Sequence, residues 1–460
     1  MIKMDRPSFP QNISQKMYLV IARNVLLVRA TCLCWTLILY MDSAGGLVTS
    51  GDFIHMNAAG ACPPSPRGHA AVVAHLDDEL RVGGYAAAAK ALGGSKSRLY
   101  PHEALALLVC AEARNMAVVE SAQRGWSLAF SSITLSPAVT VFCWQSEYAG
   151  NAVQMLRACK ASGAALEVLP VLECGVVDVD ALKLKLSRLP DPAAAVVCLT
   201  HINTDSSVIQ PAEAVASAVR AAGALFLLDS CQSFGLLPLD LPKLGCDFAV
   251  GTGRKWLRGP RGTGVLFCSD RALKRTHPLL GEPAVLDHSA ARWTGAGEYE
   301  LAEDAGRFEM WESSVALARG LGVAAEDAAA IGLETVFKKA TGMAETLREE
   351  LEVYTSRMEI VMRDAPRGFE AERRFLGAGV GPIVCFEAES SLNIAAETFV
   401  AKLFEAGIGA SVSPSGHTFN DGQWSRPKCV RLSPTYFNTE QEVEKVAREI
   451  GRILEEAKKI

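Results

Sequence analysis

Two neighbouring stretches decide the fold of this chain: Leu225-Phe-Leu-Leu-Asp229-Ser-Cys-Gln232 and Asp247-Phe-Ala-Val-Gly-Thr-Gly-Arg-Lys255-Trp-Leu-Arg-Gly-Pro-Arg-Gly-Thr-Gly-Val-Leu-Phe267. Each contains a continuous apolar run that ends in polar residues. Unbroken apolar runs, rather than alternating ones, are typical of strands in a parallel sheet that is covered on both faces. The carboxyl ends of such strands share one edge of the sheet. We therefore expect the carboxylate of Asp229 and the amine of Lys255 to lie together at that edge.

The same pattern of apolar runs separated by helical segments covers most of the chain. Further strands are predicted at 116–120, 139–144, 166–171, 194–199, 248–251 and 264–267, with helices at 124–133, 150–161, 179–189 and 211–222. Repeated strand–helix units predict an α/β fold with a large, doubly wound parallel sheet. Residues 1–50 are interpreted as an N-terminal extension, 51–320 as the large domain, and 321–460 as a connecting helix and a smaller α+β domain.

A strand-end lysine beside a strand-end aspartate is what pyridoxal phosphate (PLP) needs. The lysine amine binds the aldehyde of this cofactor covalently, and the carboxylate holds a proton on the pyridine nitrogen so that the ring accepts electrons. Lys255 and Asp229 are therefore the candidate catalytic residues.

Through Lys255, Asp229 and the stretches around them, the chain resembles the class V, fold-type I PLP enzymes. This superfamily contains cysteine desulfurases, kynureninase and isopenicillin N epimerase. Within it, the chain is most similar to the branch of the hercynylcysteine sulfoxide lyase of ergothioneine biosynthesis. The resemblance runs from about Phe53 to the C-terminus. Its most specific stretches are 200–204, 228–232, 253–255, 307–312 and 431–439. It implies a homodimer with shared active sites.

A phosphate needs backbone N–H groups at a helix start together with hydroxyl or guanidinium donors. The strand-to-helix turn at Ser121, Ala122 and Gln123 has that character, although a serine in this place also acts as an ordinary helix cap. The resemblance implies that this turn binds the phosphate, and that Thr252 and Arg254 contact the phosphate or the ring.

Other cofactor contacts follow from the resemblance. Tyr148 takes the place of a histidine that stacks on the ring in cysteine desulfurases, and a tyrosine offers the same flat face. Gln232 is expected to donate to the phenolic oxygen. Asn203 and Thr204 are alternatives for that same oxygen, because the sequence departs here from the desulfurases. Trp311 belongs to a loop that reaches the phosphate of the neighbouring subunit in this family.

Substrate contacts are implied for three residues. Arg431 is expected to clamp the α-carboxylate of an amino-acid substrate through a two-pronged hydrogen bond. Asn57 and His288 are expected on the substrate side of the pocket.

The loop before Arg431 lacks a feature that a cysteine desulfurase requires. A desulfurase carries a nucleophilic cysteine on this loop, but residues 410–421 contain none, and Cys429 begins the next strand. Persulfide transfer is therefore disfavoured. A PLP-dependent C–S β-lyase acting on a cysteine-derived sulfoxide fits instead, because a sulfenate leaves without an enzymic thiol. An aminotransferase or epimerase of the same family uses the same residues and stays open, as does a non-catalytic PLP-binding protein.

Composition limits the partners. Hydrophobic residues make up 49% of the 460 residues, the net charge is -5, and the pI is near 6.0. This balance disfavours nucleic-acid and membrane-surface partners for the folded domain. The 13 cysteines show no metal-binding spacing, so we expect a reducing, cytoplasmic setting and no metal. Residues 1–40 are basic and apolar, which fits an organelle-targeting segment, a signal anchor, or a misassigned start with Met41 as the true first residue.

Overall fold

The protein is described here by a computed structural model, which covers residues 53–91, 99–283, 285–413, 419 and 428–459. Ile54–Ile460 group as one compact unit. The predicted domain boundary at residue 320 stays a prediction, and the expected N-terminal extension and its targeting role lie outside the described residues.

The strands are β1 (Ile54–His55), β2 (Met116–Val119), β3 (Thr140–Trp144), β4 (Ala165–Leu169), β5 (Ala195–Thr200), β6 (Val208–Ile209), β7 (Leu225–Asp229), β8 (Phe248–Thr252), β9 (Gly264–Cys268), β10 (Ala291–Gly295), β11 (Glu298–Leu301), β12 (Ile360–Met362), β13 (Gly379–Val380), β14 (Val384–Ala388), β15 (Ile408–Gly409), β16 (Ser411–Ser413) and β17 (Cys429–Leu432). Seven of them form the central sheet, in the order β2-β9-β8-β7-β5-β3-β4. Four others form a second sheet, in the order β12-β14-β17-β16.

The α-helices are α1 (Pro66–Val82), α2 (Gly84–Ala91), α3 (Leu99–Leu107), α4 (Ala122–Ser131), α5 (Ala149–Ser162), α6 (Val179–Ser187), α7 (Ala212–Ala222), α8 (Leu241–Leu244), α9 (Asp270–Leu273), α10 (Val315–Ile331), α11 (Leu333–Ser356), α12 (Glu370–Phe375), α13 (Ala396–Glu405) and α14 (Glu440–Ala457). Within the described part of the chain, no helix is long and apolar enough to cross a membrane.

The middle of the central sheet is buried on both faces, as its unbroken apolar strands predict, whereas the edge strand β4 is partly exposed. Strands β5, β7, β8 and β9 are buried at every position. Phe226 and Leu228 contribute to the core on one face, and Leu225 and Leu227 to the core on the other. This alternation within one strand explains why the sequence shows no polar face.

The predicted fold class is confirmed, but the sheet is mixed rather than all parallel, because β9 runs antiparallel to both β8 and β2. The reason is the connection between β8 and β9. A parallel return needs a crossover of a dozen or more residues, usually a helix. The chain instead turns back through residues 253–263, and Lys255 lies in this turn.

The second sheet carries Arg431 and packs against long helices. β17 lies between β14 and β16 and is fully buried. Helix α14 begins at a reciprocal capping box between Thr439 and Glu442, which satisfies two backbone donors at the helix start. Helix α11 packs against α14 and contributes Leu347 and Leu351 to the same core.

Arg348 on α11 ties this region to the segment that follows β5. Its Nε donates to Asp364 Oδ2 at 2.8 Å, and its Nη2 donates to the carbonyls of Gly381 and Ile383 at 3.1 and 3.0 Å. Nη2 also donates to Ser207 Oγ at 3.1 Å.

Replacing Arg348 with methionine should lower the free energy of unfolding by about 3–5 kcal/mol, because the buried Asp364 carboxylate loses its charged partner. Urea unfolding followed by circular dichroism measures this loss. The exposed Arg374→Met is the matched control and should change the free energy by no more than about 0.5 kcal/mol. Equal effects of the two changes would show that the Arg348 contacts contribute little.

Candidate active site

A cavity of about 710 Å³ opens at the carboxyl edge of the central sheet. Ten of the predicted cofactor residues line it: Ser121, Ala122, Gln123, Tyr148, Thr204, Asp229, Gln232, Thr252, Arg254 and Lys255. These residues come from five separate loops and strand ends. The cavity therefore lies where a doubly wound sheet ordinarily binds its ligand.

Lys255 and Asp229 lie close together, as expected from the sequence. Asp229 ends β7 and pairs in register with Val250 of β8, and Lys255 follows the end of β8. Burial lowers the pKa of Lys255, although the Asp229 carboxylate opposes this shift. A lowered pKa increases the neutral fraction of the amine, which is the form that attacks an aldehyde or takes up a proton.

The Asp229 carboxylate is held in place by two donors. Its Oδ2 accepts from Asn151 Nδ2 at 2.8 Å, and its Oδ1 accepts from the backbone N–H of Cys231 at 2.9 Å. Sequence reasoning missed Asn151. Its place in the first turn of α5, the helix that follows β3 after a short loop, is a signal that points to this edge of the sheet.

The phosphate turn has the expected form. Ser121 caps α4, and its Oγ accepts from the backbone N–H of Arg124 at 3.1 Å. Gln123 Nε2 is buried without a hydrogen-bond partner at the cavity wall. A Cβ on Gly264 would lie 2.3 Å from the carbonyl carbon of Ser121 and 2.5 Å from the Ala122 nitrogen, so this turn requires a glycine beside it. An unpaired donor at a helix N-terminus suits a phosphate group.

Arg431 is buried and its guanidinium is fixed by the loop after β5. Its Nη1 donates to the Thr204 carbonyl at 2.9 Å and to Thr204 Oγ1 at 2.5 Å, and its Nε donates to Ser411 Oγ at 3.1 Å. Thr204 lines the cavity, whereas Asn203 does not, and Asn203 Oδ1 is buried without a partner. Of these two neighbours, Thr204 therefore connects the cavity to Arg431.

Both the nitrogen and the oxygen of the Gln232 side-chain amide form hydrogen bonds within the protein. Nε2 donates to the carbonyl of Ala59 at 3.1 Å, and Oε1 accepts from Trp256 Nε1 at 2.9 Å. Its second N–H is the donor that is left for a phenolic oxygen.

Besides Asn203 and Arg431, three more predicted site residues do not line the cavity of this chain. Asn57 forms a backbone bridge with Ser433. His288 and Trp311 lie against each other with ring centroids 5.5 Å apart, and the Trp311 side chain is 58% exposed. A cofactor or substrate role for His288 and Trp311 requires the cavity of a second subunit, and both assignments stay predictions.

Sequence reasoning also missed a thiol in the cavity. Cys231 lies two residues after Asp229 and is half-buried in the cavity wall. Burial raises its pKa well above the ordinary range, and the nearby Asp229 carboxylate raises it further, whereas Lys255 and Arg254 oppose the shift. A raised pKa disfavours the thiolate, which is the nucleophilic form.

Residues 101–446 match the family model described as aminotransferase class-V. The chain belongs to this family. Its cofactor is pyridoxal phosphate, and the lysine, the carboxylate and the phosphate turn of the cavity fit that group.

Proteins similar to this chain include the cysteine desulfurase of Pectobacterium atrosepticum, which is 29% identical over 217 residues, 47% of this chain and 51% of the relative. The chain thus spans about half the length of the curated relatives that it matches. The apo cysteine desulfurase of Thermococcus onnurineus NA1 shares the fold, with a TM-score of 0.71 and 18% identity over 89% of this chain and 96% of its own. The cystine C-S lyase C-DES, in complex with cysteine persulfide, also shares the fold, with a TM-score of 0.71 and 19% identity over 87% and 97% of the two chains.

Replacing Asp229 with asparagine should leave PLP bound but slow abstraction of the Cα proton about a hundred-fold or more, because a neutral amide does not hold the pyridinium charge. Exchange of the Cα hydrogen of L-alanine in D₂O, followed by NMR, isolates this step because alanine has no leaving group. Asp180→Asn on the exposed face of α6 is the control. A near-normal exchange rate in the Asp229 variant would refute the proposed role of the carboxylate.

Proposed function

We propose that this protein is a C–S β-lyase that cleaves a cysteine-derived sulfoxide, similar to the hercynylcysteine sulfoxide lyases, and releases pyruvate and ammonia. The observation that carries the proposal is the state of the thiols around the site. Residues 411–428, which precede Arg431 in the sequence, contain no cysteine. The cavity thiol, Cys231, has a raised pKa and is a poor nucleophile.

The residues of the site support this reaction in a simple order. Arg431 binds the α-carboxylate, and its contact with Thr204 fixes its position. The amine of Lys255, whose pKa burial lowers, takes the proton from Cα. PLP, when bound, supplies the electron sink that stabilises the resulting charge. The C–S bond then breaks with both electrons on sulfur, the sulfoxide leaves as a sulfenate, and the three-carbon fragment reacts with water to give pyruvate and ammonia.

Cysteine desulfuration is the second candidate, and two observations favour it. Curated relatives are named cysteine desulfurases, and Cys231 contributes a thiol to the cavity. A desulfurase must attack the substrate sulfur with a thiolate, however, and the burial of Cys231 opposes ionisation. C-DES, described as a cystine C-S lyase, has this same fold, which supports C–S cleavage as a reaction that the fold accommodates. Aminotransfer or epimerisation would use the same lysine, aspartate and arginine.

We also propose that the working form is a homodimer. Helix α1 presents Val73, Leu76 and Leu80 on one face, and these side chains are 43%, 50% and 88% exposed. Spacings of three and four residues place them in one stripe. Exposed apolar stripes of this kind mark contact surfaces. A second copy would also give His288 and Trp311 a cavity to enter.

The reaction products distinguish the candidates. Purified holoenzyme incubated with hercynylcysteine sulfoxide or another cysteine sulfoxide should release pyruvate and ammonia in equal amounts, measured with lactate dehydrogenase and glutamate dehydrogenase. L-Cysteine should give little sulfide. Lys255→Ala serves as the inactive blank, because the reaction needs its amine. Amino-group exchange or inverted stereochemistry without pyruvate would favour an aminotransferase or an epimerase.

Two sets of variants test the role of a thiol. Cys231→Ala and Cys429→Ala should keep most of the rate with a sulfoxide. Arg431→Ala should raise KM about ten- to a hundred-fold, since a charge-assisted contact to a carboxylate is worth about 1.5–3 kcal/mol. If either cysteine change abolishes turnover while the arginine change has no effect, the thiol-free lyase reading fails.

A further inference from the structure

Behind Asp229 lies a second buried carboxylate, Glu147, which is only 4% exposed. The side-chain amide of Asn151 joins the two acids. Asn151 Nδ2 donates to Asp229 Oδ2 at 2.8 Å and to Glu147 Oε1 at 3.0 Å. Glu147 Oε1 also accepts from Thr200 Oγ1 at 2.5 Å and from the backbone N–H of Tyr148 at 2.7 Å. Glu147, Asn151 and Thr200 all line the cofactor cavity.

The negative charge of Glu147 is not needed for these hydrogen bonds. All three donors meet one oxygen, Oε1, and the carbonyl oxygen of a glutamine would also accept hydrogen bonds there, although weaker ones. A buried carboxylate costs free energy when it ionises. Burial raises the pKa of Glu147 to about 7, and the Asp229 carboxylate adds to this shift, while the hydrogen bond from Thr200 opposes it. An ionisable side chain in a place where a neutral one would be more stable is typical of a functional site.

Among the residues that the structure describes, the groups that face Glu147 leave Asp229 as its charged neighbour. Cys143 on β3 and Cys198 on β5 also face it, but burial raises the pKa of both thiols, which therefore stay neutral. Asp229 on β7 raises the pKa of Glu147 by charge repulsion. Two like charges in one buried site are unfavourable unless a cation lies between or beside them.

We propose that Glu147 is a positioning residue of the cofactor pocket: its carboxylate, joined to Asp229 through Asn151, supplies a second negative charge that keeps the pyridine nitrogen of the cofactor protonated. The cation that compensates the two acids is then the pyridinium itself. This inference rests on the cofactor and not on the reaction, so it holds for a lyase, a desulfurase or an aminotransferase alike.

Binding of a cationic ring and ionisation of Glu147 favour each other. The apoprotein should consequently bind PLP more tightly as the pH rises through the titration of Glu147. Without the cofactor, the same charge destabilises the fold. The folded-state pKa lies above the ordinary value of 4.5, so the folded apoprotein holds more protons between about 4.5 and 7. Its free energy of unfolding falls as the pH rises through that window.

The test compares the wild-type apoprotein with Glu147→Gln by equilibrium dialysis against PLP between pH 5.5 and 8.5. Above pH 7.5 the variant should bind PLP about ten-fold more weakly, and the two dissociation constants should converge below pH 6. Lys255 and the cofactor phosphate titrate in both proteins, so their effects cancel in the ratio of the two dissociation constants. Glu359→Gln changes a buried glutamate outside the cavity and should leave the ratio at one.

A second variant keeps the Glu147 carboxylate but changes the pH at which it ionises. Thr200→Val removes the hydroxyl that lowers the pKa of Glu147, so the midpoint of the pH-dependent binding should move up by about one pH unit. Glu147→Gln should also raise the Tm of the apoprotein at pH 8.5, by about 2 °C or more, but not at pH 5. Two results together would overturn the proposal, whatever the reaction products are. The ratio of the two dissociation constants would not vary with pH, and the midpoint of pH-dependent PLP binding would stay in place in the Thr200 variant.

Discussion

The parallel pairing of β7 with β8 is the constraint on which the site depends. Asp229 lies opposite Val250 in this pair, and the chain continues from β8 into the turn that carries Lys255. Both strands are buried along their whole length, so a slip of the register would displace apolar side chains from the two cores as well as separating the acid from the amine. The same packing that stabilises the sheet therefore fixes the catalytic geometry.

The site concentrates groups that cost stability. Lys255, Asp229 and Glu147 gather in one cavity at the end of a sheet that is otherwise apolar. Burial shifts the pKa of Lys255 down and that of Glu147 up, so both groups resist carrying charge. The free-energy cost of these buried ionisable groups is offset when a bound ligand carries compensating charges. A phosphate fits the donors of the turn at Ser121, and a pyridinium fits the paired acids, which explains why these features occur together.

The sequence predicted the central sheet and most of the cavity because those features depend on local patterns. The run from Leu225 to Asp229 is apolar without interruption, and the carboxyl ends of parallel strands meet at one edge. The direction of β9 was missed because it depends on the length of a turn. The pairing of Asn151 with Asp229 and the approach of Cys231 to the cavity depend on tertiary packing, which no local pattern expresses. The shared role expected for Trp311 depends on a second chain.

The lyase proposal and the family assignment rest on different evidence. The family follows from the match over residues 101–446 and from the fold. The choice of reaction rests on the thiols: residues 411–428 contain no cysteine, and burial raises the pKa of Cys231 in the cavity wall. A fold hosts several reactions, so the second kind of evidence must decide.

The arrangement of the site requires that Lys255 hold the cofactor covalently. Treatment of the holoenzyme with borohydride fixes a lysine-bound pyridoxyl group, and peptide mass spectrometry then locates it. We expect the label on the peptide that contains Lys255, with little on any other lysine. A label on another lysine, or a protein that binds PLP without any covalent label, would contradict this expectation.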